Sequence, residues 1–175
     1  MDDPQRFEDL VAPVEDLTAA PLTVQCFVPE EARDALPEFA ALIDLWLERR
    51  GSAGVPDWND VDFTDFRSWH AYILLSKFEG AEPDPRFRLA GEKVAEVLQF
   101  ETQGRRISDL APQFYELQFR DHFHKIREHG LIGLTSGKLP AKGRGHVTLR
   151  ILELPFRDGG SAVERLLHAQ AKETA

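Results

Sequence analysis

His122, His124 and His129 fall close to Asp121 and Glu128, a donor set whose usual chemistry is metal binding or proton transfer. Helical geometry works against a single ion. His122 and His124 stand two residues apart, about 200° around a helix, so one helix does not aim both at one point. His122 and His129 share a face, but a site there needs ligands from another element. The histidines therefore read as solvated side chains or as supports for neighbouring groups, and no metal is expected. Asp65, Ser68 and His70 have the types of an orienter, a nucleophile and a base. Closeness in sequence is not triad geometry, however, and no hydrolase is expected. Glu92 and Glu96 lie one helical turn apart and make a solvated acidic face. No GxGxxG or GxxxxGK run is present, which removes those two nucleotide-binding devices. The run with Lys138, Lys142, Arg144, His146 and Arg150 reads as a mobile basic hairpin loop. Its alternative role is contact with an acidic partner protein or a phosphorylated messenger. The chemistry-bearing residues thus point away from an enzyme.

The elements that would carry these residues belong to one domain. A chain of 175 residues can bury a sizeable core, and its 12 Phe residues supply bulky rigid side chains for it. With 30 acidic and 21 basic residues the formal charge is −9. That field favours solubility and argues against a nucleic-acid partner. The single cysteine, Cys26, precludes an internal disulfide or thiolate cluster and fits a reducing compartment. No apolar run reaches the length of a membrane span, and the acidic N-terminus is unlike a signal peptide. A cytoplasmic protein without membrane association is expected.

Along the chain, residues 1–30 read as a partly ordered arm, with a brief extended piece at Leu22–Phe27. After Pro29, Leu36, Phe39, Ile43, Trp46 and Leu47 recur at helical spacing and form one apolar stripe. Arg49, Arg50 and Gly51 suit the end of that helix. Asp62 can cap a short helix through Phe66. Residues 69–78 form an apolar run of strand length, and residues 86–90 alternate so that Phe87 and Leu89 face one way. Short helical spacing returns at Glu92–Leu98. Gly104 breaks the chain, Ser108 or Asp109 can cap the next turn, and Pro112 opens a longer helix at its tolerated position. Tyr115, Phe119, Phe123 and Ile126 form the inward stripe of that helix. Strands follow at 131–138 and 145–154. Residues 161–169 favour helix by composition, yet they follow a tight turn at Asp158-Gly159. The order implies an α+β domain.

That order resembles a PAS domain. More narrowly, Arg88-Leu89-Ala90-Gly91, Thr102-Gln103-Gly104-Arg105 and Ser108-Asp109-Leu110 look like the single-domain PAS family of alphaproteobacteria. The preceding amphipathic helix, Pro56-Asp57-Trp58 and Leu154-Pro155 also match that family. The resemblance spans residues 31–170, with residues 171–175 as a tail. It implies a five-stranded antiparallel sheet, helices on one side and an N-terminal flanking helix, and it makes residues 161–169 the last strand. Gly91 and Gly104 then permit sharp bends, Asp109 and Pro155 become structural positions, and Arg88 needs a carboxylate or backbone acceptor, or else recognises an anionic ligand. PAS flavin photoreceptors require a reactive cysteine at the short helices, and Arg105-Arg106-Ile107 has none.

The resemblance implies a sensory or protein-interaction module in bacterial signalling, not catalytic, with output through a partner such as a histidine kinase. A homodimer is also expected, from the apolar surface that the N-terminal helix has to spare. A small open sheet needs a cover on its second face; the helix bearing Phe39, Ile43 and Trp46 either packs there or completes a dimer. The alternative function is a small-molecule sensor holding an apolar metabolite, a fatty acid or, on His124 or His129, haem. Phe87, Tyr115, Phe119 and Phe123 would wall that cavity. No resident cofactor is expected.

Overall fold

The structure, a computed structural model, describes residues 22–52, 54–139 and 147–172. The residues before Leu22 and most of the Lys138–Arg150 loop lie outside this set. One antiparallel sheet contains β1 (Leu22–Phe27), β2 (Ile73–Lys77), β3 (Arg86–Ala90), β4 (Ile132–Lys138), β5 (Thr148–Arg157) and β6 (Val163–Gln170). Their spatial order is β1-β4-β5-β6-β2-β3. The sheet therefore has six strands where the resemblance implies five. The extra strand is the extended piece at Leu22–Phe27. It pairs along its whole length with β4, from Leu22↔Gly137 to Phe27↔Ile132. A short segment between two prolines carries no strong strand signal of its own; the open edge of β4 supplies its partner.

β6 is a strand despite its helical composition. It is paired on both sides, by β5 and by β2, so two ladders outweigh a weak local preference. Pro155 sits inside β5 without cost because β4 pairing stops at Glu153. From there only β6 flanks the strand, and the missing N–H faces no partner. The first expected strand is shorter than residues 69–78. Asp62 and Asp65 form a reciprocal capping box, and the resulting 3-10 run continues through Tyr72, so extended structure begins only at Ile73.

A bulge corrects one assignment in β3. Leu75 pairs with Leu89, while the next residue, Ser76, pairs with Phe87. Neighbours on β2 point to opposite faces, so Phe87 and Leu89 do too. Phe87 is buried and Leu89 is exposed. Alternation alone would place both on one face.

The two sheet faces have different covers. Leu152, Leu154 and Phe156 line the face covered by α1 (Pro29–Ala35), the 3-10 turn Pro37–Phe39 and α2 (Ala40–Arg50). Phe39, Ile43 and Trp46 are fully buried there. The Trp46 indole Nε1 donates to the Pro155 carbonyl over 2.7 Å. The N-terminal helix thus covers the sheet of its own chain. Pro56-Asp57-Trp58 clips the same face: Asp57 accepts from Gly159 N and pairs with Arg157, while Trp58 packs edge-on against Phe156 at 5.1 Å.

The opposite face is covered by α3 (Glu92–Leu98), α4 (Ile107–Leu110), α5 (Pro112–Phe114), a π turn at Tyr115–Phe119 and α6 (Arg120–His129). Tyr115, Phe119, Phe123 and Ile126 all point inward and are buried. Gly104 has φ +78°, the left-handed conformation that favours glycine. Gly91 has an ordinary φ of −69°, so its role is close approach instead of a bend. A Cβ there would lie 2.4 Å from the His70 carbonyl oxygen. Asp109 acts three residues into α4, accepting from Arg106 N; Ser108 is taken by Asp84 through its N–H and hydroxyl.

Candidate functional site

The sheet face beneath α6 alternates apolar and polar groups in register. Directly paired residues share a face, so Leu74, Ser76, Thr135, Ile151, Glu153 and His168 all project toward the helices. All of these but Ser76 border a cavity of about 90 Å³ whose other walls include Leu22, Leu98, Phe100, Ile107 and Leu110. Of the four residues expected to wall it, Phe87, Phe119 and Phe123 do. Tyr115 is buried but does not line it. The space falls short of the ~300 Å³ where drug-sized ligand sites begin.

One wall of this cavity is ionic. His122 Nε2 lies 3.0 Å from Glu153 Oε2, and Thr135 Oγ1 donates to Glu153 Oε1 over 2.6 Å. The His122 and Glu153 side chains are only 1% and 2% exposed, so each ion depends on the other in a medium that solvates neither. The remaining His122 nitrogen, Nδ1, faces Cys26 Sγ at 3.4 Å. Gly133 makes this packing possible: a Cβ there would lie 2.5 Å from Glu153 Oε2 and 3.0 Å from His122 Cε1. A second buried imidazole, His168, meets the Ser76 hydroxyl through Nε2 at 2.7 Å.

The two histidines are driven apart electrostatically. Desolvation opposes a charge on His122, but the Glu153 carboxylate and the hydrogen bonds to Cys26 and Glu153 outweigh it and raise its pKa to about 9. Desolvation dominates at His168 and, with the His122 charge adding to it, lowers the pKa to about 4. Neutral pH therefore finds a charged imidazole beside a neutral one. This polar wall can hold a proton, orient a hydrogen-bonding group or support a thiol.

The other sequence candidates are dispersed. His124 and His129 are exposed on the outer side of α6, away from the cavity. Arg88 pairs with Glu79, as does Arg86 at 3.0 Å. Asp65 binds Arg49 at 3.2 Å, while His70 meets the Phe63 carbonyl and stacks on its ring. Glu96 pairs with Lys93 at 3.2 Å. Lys142, Arg144 and His146 lie outside the described residues; of the basic run, Arg150 pairs with Glu38. Sequence reasoning missed Glu153, Thr135, His168 and the burial of His122. The legible signal was a Glu inside the apolar run Ile151–Phe156 and a His inside Leu166–Ala169: polar residues at strand positions that pairing carries inward.

Among the described residues, no helix is long and apolar enough to cross a membrane. A family model described as PAS domain matches residues 35–169. No curated protein matches the chain, and no solved structure does. The matched span runs from the end of α1 to β6 and leaves β1 outside it.

Proposed function

We propose that this chain, which belongs to the PAS domain family, acts as a non-catalytic interaction module in bacterial signalling. Its output passes to a protein partner such as a histidine kinase, and a second copy of the chain is the simplest further partner. The observation that carries this reading is the size of the cavity. About 90 Å³ leaves little interior for a metabolite to occupy, so information has to enter and leave through the surface. The acidic chain, at −9, favours partners with basic surfaces over nucleic acid. Affinity capture at physiological salt, followed by titration of each purified candidate, tests the proposal. Saturable binding to a signalling protein is expected; its absence across all captured candidates overturns the reading.

A second reading is supported by the polar wall. Thr135, Glu153 and His168 give an otherwise apolar cavity a few oriented groups, the composition of a small-molecule site. A fatty acid or haem would require the α3–α4 wall to open. Thermal stabilisation by a panel of small apolar acids and alcohols distinguishes this reading, because the interaction module predicts no shift.

A further inference from the structure

We propose that Cys26 is a reactive thiol and a modification site, activated by His122 and Glu153, that reacts with hydroperoxides and other soft electrophiles. The inference does not depend on which partner the domain binds. It rests on an arrangement of nucleophile, imidazole and carboxylate that comes from separate elements. Cys26 is on β1, His122 on α6 and Glu153 on β5. Sγ lies 3.4 Å from Nδ1, and Nε2 lies 3.0 Å from Oε2. A thiol beside an imidazole that is itself oriented by a third group is the constellation of an activated nucleophile. Thr135 extends the chain by fixing the other carboxylate oxygen.

Burial is graded along this series. His122 and Glu153 are sealed inside, whereas Cys26 is only partly buried and is the least enclosed of the three. A buried ion pair is seldom the most stable filling for a core, and here it ends on a partly buried thiol. Pairing places Cys26 opposite Gly133, whose missing side chain leaves room for the imidazole.

The surrounding charges are consistent with this role. On α6, Lys125 is engaged by Asp121 at 2.8 Å. The sheet contributes Glu153 behind His122 and the neutral His168 beyond it. A cation next to sulfur is the environment of reactive cysteines.

In the proposed step the sulfur reacts as a thiolate beside the His122 imidazolium, which donates Nδ1–H to it while Glu153 holds Nε2–H. The sulfur attacks the distal oxygen of a hydroperoxide. An S–O bond forms as the O–O bond breaks, and His122 returns a proton to the departing oxygen. The thiol is oxidised by two electrons to a sulfenic acid while the peroxide is reduced to water or an alcohol. Because the chain has a single cysteine, return to the thiol passes through a thiol of another molecule.

The test is the second-order rate of Cys26 reaction in the full chain, read by intact mass, with iodoacetamide and with hydrogen peroxide. At pH 6 the native chain is expected to react at least about tenfold faster than the same chain in denaturant, where the thiol is unassisted. His122→Gln is expected to remove that advantage, and Glu153→Gln to reduce it. A native rate at or below the denatured rate overturns the proposal, as does an undiminished rate in folded His122→Gln. Should either variant fail to fold, by circular dichroism, the native-to-denatured ratio of the unaltered chain still decides.

Discussion

At the scale of single residues, this domain is governed by a few buried polar groups whose environments oppose one another. His122 is stabilised as a cation and His168 as a neutral base, and linkage gives each a stability limb of opposite sign. The raised His122 pKa contributes stability that is complete below about pH 6.5 and disappears as pH rises through about 9. The lowered His168 pKa has the reverse effect: nothing is lost above about pH 6.5, and stability falls as pH drops towards about 4. Urea midpoints should therefore peak near pH 6.5 and fall on both sides, each limb worth on the order of 3 kcal/mol. His168→Gln should flatten the acid limb and leave the alkaline one. A monotonic profile from pH 4 to 9 would contradict this assignment. Gly133→Ala offers a second check, since its Cβ would meet Glu153 Oε2 and Ile126 Cδ1 at 2.5 Å. Both atoms end long side chains, but Glu153 is held by His122 and Thr135 and Ile126 is fully buried, so a loss of about 1–3 kcal/mol is expected in denaturant titration. None of these groups was legible as a site. His122 sits one position before the obvious inward residue Phe123, and its partner Glu153 lies 31 residues away; only pairing of β4 and β5 brings the carboxylate under α6.

At the scale of elements, each connection is set by a tight contact instead of by propensity alone. Gly91 admits the His70 and Ala71 carbonyls at 2.4 and 2.6 Å from where a Cβ would stand. Backbone oxygens cannot rotate away, so Gly91→Ala should cost about 3 kcal/mol or more. Thermal melting checks this, and a shift of only a degree or two would refute it. Trp46 joins α2 to β5 through the Pro155 carbonyl. Trp46→Phe should cost about 2–4 kcal/mol, combining lost volume with an unpaired carbonyl. Sedimentation should show an unchanged subunit mass for that variant, because the indole is buried within its own chain. Much of this level was readable beforehand. The stripe from Leu36 to Leu47, the inward face from Tyr115 to Ile126 and the need for a second cover followed from periodicity. Two features were not. β1 is defined by the open edge of β4, a partner more than 100 positions away in sequence. The reversal of Leu89 depends on a bulge between β2 and β3, which no alternation pattern announces.

At the scale of the whole molecule, a sheet covered on both faces leaves a small interior and an acidic exterior. The PAS domain match covers residues 35–169, and the edge strand β1 adds to the sheet outside that span. The fold class was accessible from sequence because many weak signals agreed in order. The partner was not, because an interaction surface is an arrangement of exposed residues that no local pattern requires. The proposed function places that information on the outside of the domain, with a cavity of only about 90 Å³ inside. Native mass spectrometry of the full-length chain, isolated at physiological salt from its own cells, tests this most directly. The account predicts chain masses, and complexes with a protein partner or second copy, free of any small-molecule adduct. A chain that carries a noncovalent small-molecule mass, lost on denaturation, and no protein complex would contradict it.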